Sequence, residues 1–221
     1  MKTALILDFD GVLFNLDALR GRNFDFWRHQ LSPSSVAKFE KYLAEYNSRR
    51  LNGPTLFEPR AFMTESEFAK YKQFIREVGE RYVFADAVEF VGGLDFAKIQ
   101  PIILTFGDAD LQRAKINATP FTNLPAIITG ENNKVEMLRG WWKNEFYKIN
   151  GENFANVMLI DDQKHNFVGF DELSAARGWW LNRHAPDDDE ETGAPRGQEN
   201  KVVLPDNVQR AKSFHEIMLD F

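Results

Sequence analysis

The chain has 221 residues, 43% of them hydrophobic and 27% charged, a net charge of −6 and no cysteine. That composition suits a packed globular core and excludes a disordered chain, disulfides, thiolate metal sites and cysteine nucleophiles. The acidic balance argues against a broad nucleic-acid surface, and no apolar run approaches the roughly 20 residues of a membrane span.

Thr3 to Phe9 reads as a buried strand ending in Asp8, and its apolar stretch, Ala4 to Leu7, is too short for a secretory signal. The sequence therefore predicts a chain that stays in the cytoplasm. Residues 15–85 change to helical periodicity. Ser34-Ser35 followed by Val36, Phe39, Tyr42, Leu43 and Tyr46 predicts an amphipathic helix with a serine cap. Asn52-Gly53-Pro54 breaks the pattern, and Thr64-Glu65-Ser66-Glu67 opens a second helix carrying Phe68, Tyr71, Phe74, Ile75 and Val78 on one face. This region reads as an all-helical insert, with residues 1–14 and 86–221 forming the core domain.

From there strands and helices alternate. Strands are predicted at Ile102–Thr105, Ala126–Thr129, Val157–Ile160 and Gly178–Asn182; helices at Asp110–Asn117, Lys134–Tyr147 and about Phe167–Ala176. Alternation of this kind predicts an α/β fold, a Rossmann-like three-layer parallel sheet with helices on both faces and ligands at the carboxyl ends of the strands. Residues 185–200, acidic and rich in Pro and Gly, read as a mobile solvated loop, and a last helix is expected near Val208 to Leu219. The 20 phenylalanines are expected to fill the core and a domain interface.

The chemistry gathers at two strand ends. The first strand leaves the sheet as Asp8-Phe9-Asp10-Gly11, and a later one ends Ile160-Asp161-Asp162. If the two strands are neighbours, three or four carboxylates crowd together. Like charges 4 Å apart cost roughly 4 kcal/mol at an effective dielectric of about 20. A hard dication with oxygen ligands such as Mg2+ offsets that cost. The four histidines are scattered and suit no zinc site. Thr105 ends a strand before Phe106-Gly107, where its hydroxyl could meet a phosphoryl oxygen or simply cap. Lys134 opens a helix.

Taken in order, these segments resemble the motifs of the haloacid dehalogenase-like superfamily. The first is Leu5-Ile6-Leu7-Asp8-Phe9-Asp10-Gly11-Val12-Leu13, the second Ile102-Ile103-Leu104-Thr105, the third Lys134, and the fourth Val157-Met158-Leu159-Ile160-Asp161-Asp162 with Asn166 four residues on. The resemblance runs from Thr3 to about Asn182 and places the helical insert where that superfamily carries a C1 cap. It implies a Mg2+-dependent phosphomonoester hydrolase acting on a small phosphorylated substrate. Asp8 would be the nucleophile, forming an aspartyl-phosphate, and Asp10 the general acid and base. Asp8, the Asp10 carbonyl and Asp162 would hold Mg2+, with Asp161 either binding through water or orienting a ligand. Thr105, Lys134 and the backbone amides near Gly11 would face the phosphoryl oxygens, and Asn166 would support the metal waters. Lys115 and Arg139 compete with Lys134 for the cationic role. Superfamily members that displace halide lack the second Asp of the first motif and need no Mg2+, so Asp10 favours phosphoryl transfer. A phosphomutase, or a catalytically idle binding protein, is the alternative. Arg20, Arg22, Trp27, Arg28 and His29 could contact substrate, though surface charge and packing are the plainer roles.

Overall fold

The computed structural model describes residues 1–50, 56–183 and 203–217. The strands are β1 (Lys2–Leu7), β2 (Ile99–Phe106), β3 (Ala126–Thr129), β4 (Trp142–Lys143), β5 (Phe146–Ile149), β6 (Glu152–Asp161), β7 (Ala176–Leu181) and β8 (Val208–Ala211). Six of them form a parallel sheet in the order β3-β2-β1-β6-β7-β8. The hairpin of β4 and β5 adds two antiparallel strands beside the first residues of β6.

A strand buried on both faces needs an unbroken apolar run, and β1 supplies one. Its alternate residues feed two separate cores. Leu5 and Leu7 join Ile103, Met158 and Ile160 on one face; Ala4 and Ile6 join Ile102, Leu104 and Leu159 on the other. The chain runs outward from β1 through β2 to β3, then returns to the other side of β1 at β6. This reversal opens a crevice between the carboxyl ends of β1 and β6, the place where open α/β sheets bind ligands.

The helices are α1 (Leu16–Gln30), α2 (Pro33–Arg50), α3 (Glu65–Val78), α4 (Ala85–Gly92), α5 (Ala109–Asn117) and α6 (Lys134–Trp141). Described residues between β1 and β2 contain helices and no strand. Where the chain leaves and re-enters this region, two segments run side by side. Asn15 N–H donates to Tyr82 O (2.7 Å), Phe84 N–H donates to Leu13 O (3.1 Å), and Phe14 bridges Val83. Arg183, just past β7, braces the crossing. Its guanidinium bonds Asp86 (2.9 Å) and the Val12 carbonyl (3.0 Å) and lies over the Phe84 ring. Within the helical region Trp27, Phe39, Tyr42, Phe57, Phe62 and Tyr71 pack ring against ring, which is where much of the aromatic content goes. Among the described residues no helix is long and apolar enough to cross a membrane.

The starts of α2 and α3 meet at one carboxylate. Thr64 and Glu67 form the capping box of α3. Glu67 is also buried against the start of α2, accepting from Ser32 N–H (2.7 Å) and the Ser35 hydroxyl (2.7 Å). The cap of α2 thus differs from expectation: the helix begins at Pro33, and Ser32, rather than Ser34 or Ser35, accepts the Ser35 N–H. Burial would raise the Glu67 carboxyl, but the four donors from Ser32, Thr64 and Ser35 overcome it and hold the group down at about 2. Glu67→Gln turns an amide NH2 toward donors, and we expect a loss of about 2 kcal/mol at neutral pH. A depressed carboxyl stabilises above its unfolded value of 4.5 and ceases to as pH falls toward about 2. Urea unfolding of both proteins should therefore show the gap narrowing on acidification.

Three elements depart from the sequence reading. The helix expected over Lys134–Tyr147 stops at Trp141, and the chain turns through Asn144 and Glu145, both at positive φ (52° and 68°), into β5. Tyr147 and Ile149 are buried while Lys148 is exposed, a period of two. The helix expected near Phe167–Ala176 is instead two 3₁₀ turns, Lys164–Phe167 and Phe170–Glu172, separated by Gly169 in the left-handed region. The described part of the helix expected near Val208–Leu219 is β8 followed by a 3₁₀ turn; Val208 pairs with Gly178 of β7, where a Cβ would be crowded by Phe167 and Val208. The acidic loop expected at 185–200 lies outside the described residues.

Candidate active site

Asp8 follows β1 directly, and its N–H continues the pairing with β6 by donating to Ile160 O (3.0 Å). Asp161 is the last residue of β6. Neighbouring parallel strands thus bring the two motifs together: ligand oxygens of Asp8, Asp161 and Asp162 all lie within 4.8 Å of one another. Asp8 and Asp161 are buried, Asp162 half-buried.

Lys134, first residue of α6, sends its side chain back into this cluster and is 1% exposed. Its Nζ lies 2.7 Å from Asp8 Oδ1 and 2.5 Å from Asp161 Oδ2. Of the three candidate cations, only this one reaches Asp8. Arg139 pairs with Glu136 and Glu172 at the surface, and Lys115 pairs with Asp10. Asp161 is held on every side, taking the Gln163 N–H (2.8 Å) on Oδ1 and the Asn166 amide (2.9 Å) on Oδ2. Asn166 thus works on Asp161 directly. The backbone of Asp162 is fixed by Trp180, whose indole N–H donates to Asp162 O (2.9 Å).

Lys134 pairs with Asp8 and Asp161, and an oxygen of Asp162 closes the same acidic cluster. Burial, aided by Asp161 and only partly countered by Lys134, pushes the Asp8 carboxyl up to about 7. For Lys134 burial disfavours the charge, but Asp161 and Asp8 prevail and hold its ammonium above the usual range. An all-oxygen donor set of three carboxylates fits a hard divalent cation such as Mg2+.

The turn after β1 is shaped for this. Gly11 has φ +87°, and a Cβ there would fall on the Asp162 carboxylate, so the residue leaves room for the second acidic segment to close in. The Gly11 N–H donates to Phe14 O (2.8 Å). Thr105 lies two residues past Ile103, the partner of Leu7, and is buried near the end of β2.

The Asp10 side chain is held by α5. Both of its oxygens lie on Lys115 Nζ, the Oδ1 contact at 2.6 Å, and Oδ2 also accepts from Gln112 Nε2 (3.0 Å). The sequence reading missed this pair of partners. The available signal was two polar residues three apart on the helix that follows the Thr105 strand. It also missed the docking of the helical region on the same helix: Arg60 donates to Asp108 (2.8 Å) and Asp110 (2.5 Å). Three of the residues expected as possible substrate contacts have partners within the helical region. Trp27 is in the aromatic cluster, Arg20 pairs with Asp17, and His29 bonds the Asp25 carbonyl in its own helix.

No family model and no curated protein matches the sequence. Solved structures do match over most of their length. A protein described as a haloacid dehalogenase-like hydrolase from Burkholderia xenovorans superposes with a TM-score of 0.62 at 12% identity, covering 99% of each chain. The fold is haloacid dehalogenase-like. A HAD phosphatase from Thermococcus onnurineus (TM-score 0.58, 16% identity, 98% of this chain and 95% of that one) has the same haloacid dehalogenase-like fold. So does an L-2-haloacid dehalogenase from Xanthobacter autotrophicus (TM-score 0.53, 16% identity, 97% and 96%). At these identities the likeness establishes the haloacid dehalogenase-like fold, and the chemistry has to come from the site.

Proposed function

We propose that the chain is a Mg2+-dependent phosphomonoester hydrolase that works through an aspartyl-phosphate on Asp8. The observation that carries this reading is the convergence of Asp8, Asp161 and Asp162 within 4.8 Å of one another, with Lys134 on two of them and Asp10 two residues beyond the nucleophile. A site built to displace halide from carbon has no use for three carboxylates gathered at ion-binding distance.

Asp8, Asp161 and Asp162 would hold Mg2+, with the Asp10 main-chain carbonyl completing the protein ligands as the family resemblance implies. When bound, the ion supplies positive charge against the phosphoryl oxygens. A carboxylate oxygen of Asp8 attacks phosphorus, the bond to the leaving oxygen breaks, and Asp10 protonates that oxygen. Water then attacks the aspartyl-phosphate, Asp10 takes the proton from it, and phosphate leaves with the Asp8 carboxylate restored. Lys134 faces the charge that develops on the transferred group, and Thr105 offers a hydroxyl to one of its oxygens. Asn166 and the Gln163 amide keep Asp161 in place. The helical region 15–85 serves as a cap over the crevice, docked through Arg60 and supplying the surface that selects the leaving group.

Purified protein with Mg2+ is expected to release inorganic phosphate from a generic aryl phosphate, and a panel of sugar phosphates, nucleotides and phosphopeptides would define the leaving group. Halide release from a 2-haloacid without phosphate release would overturn the assignment. Turnover of a sugar phosphate by internal transfer, with no free phosphate, would move it to a mutase.

A further inference from the structure

Lys115 is a buried cation outside the acidic cluster. It sits in the last turn of α5 and is 3% exposed, with Nζ 5.8 Å from the ring centres of both Phe9 and Phe14. Its ammonium spans both oxygens of Asp10. One turn earlier on the same helix, Gln112 donates Nε2 both to Asp10 Oδ2 (3.0 Å) and to Phe106 O (2.9 Å), so the amide is itself oriented by the end of β2. Gly107 makes room for it, since a Cβ there would come within 2.5 Å of Gln112 Nε2.

The Asp10 side chain is 20% exposed, against 4% for Lys115. A carboxylate at the rim of a crevice would otherwise exchange rotamers freely. Burying an ammonium beside it is a poor way to stabilise a fold, because the desolvation cost of a buried pair commonly cancels its attraction. Fixing the direction of one carboxylate is what such a pair does well.

We propose that Lys115, assisted by Gln112, is a positioning residue that aims the Asp10 carboxylate at the leaving oxygen and at the attacking water. The inference rests on the phosphoryl-transfer reading above. It makes α5 the element that carries acid–base geometry, while Lys134 on α6 serves the nucleophile. Neither Lys115 nor Gln112 touches the reacting atoms; both act through Asp10.

A double-mutant cycle tests this. Lys115→Met in the wild-type background is expected to lower kcat for an alkyl phosphate by about 100-fold, the scale of a misplaced catalytic group, with KM moving less than about threefold. In an Asp10→Asn background the same substitution is expected to cost nothing further. Equal losses in both backgrounds would mean a structural role and would overturn the proposal, as would full activity of the single variant. Should Lys115→Met fail to fold, Gln112→Leu serves the same cycle, with an expected kcat loss of about 10-fold in the wild-type background alone; equal losses in both backgrounds, or none, overturn it. A wild-type protein that releases no phosphate sinks the function assignment itself. An active wild type with an unaffected Lys115→Met sinks only the role of Lys115.

Discussion

Asp8→Asn is expected to lower phosphate release by about 10⁴-fold or more, because it removes the attacking oxygen while keeping the side chain's size and most of its contacts. The same variant should be no less stable than the wild type. Burial pushes the Asp8 carboxyl up to about 7 from 3.8, so the folded protein binds more protons than the unfolded chain across that interval. Stability of the metal-free protein therefore falls as pH rises from about 4 to about 7 on account of this group. An amide at position 8 has no such dependence. Thermal unfolding in the presence of a chelator, at about pH 5 and about pH 8, should show a smaller difference between the two conditions for the variant than for the wild type. Loss of activity together with retained or improved stability separates a missing nucleophile from a damaged fold.

Removal of the divalent ion is expected to have a comparable effect. The oxygens of Asp8, Asp161 and Asp162 lie within 4.8 Å of one another, and the Lys134 ammonium sits between Asp8 and Asp161. Like charges held this close repel, and a divalent ion relieves that repulsion. EDTA should lower phosphate release by at least about 10³-fold, and Mg2+ should restore it, since the ion would supply several kcal/mol of charge stabilisation in the transition state. Without substrate, Mg2+ at about 100 times its dissociation constant should stabilise the fold by about 2.7 kcal/mol. Asp162→Asn should lose most of that gain, because it removes a charged ligand from the rim while leaving the Lys134–Asp161 pair intact. An unfolding midpoint raised equally by Mg2+ in both proteins would place the ion elsewhere.

How far the sequence carries this far depends on which residues speak for themselves. Asp8, Asp161 and Asp162 were legible because each ends an apolar run that can only be a buried strand, and a parallel sheet puts such ends on one rim. The adjacency of β1 and β6 was an assumption, and the pairing of Leu7 with Ile160 replaces it. The helix ending at Trp141 was overextended because Trp142, Phe146 and Tyr147 continue an apolar pattern that suits a helix as well as a hairpin. Asn144-Glu145 also lacks the glycine that usually announces a two-residue turn. The strand Val208–Ala211 is four residues long, and its partner is far away in sequence, so no local pattern could declare it. Lys115 stood among three possible cations for one role. Side-chain reach across the crevice decides between them, and that depends on where α5 ends and α6 starts, since Lys134 opens one helix and Lys115 lies in the last turn of the other.

The central claim is that Asp8 becomes phosphorylated during turnover. Wild-type protein mixed with an aryl phosphate and Mg2+, quenched in acid and digested, should yield a phosphorylated peptide whose modified residue is Asp8, and the modification should vanish when EDTA precedes substrate. Turnover with no phosphoryl group on Asp8, or with one on another residue, would contradict it.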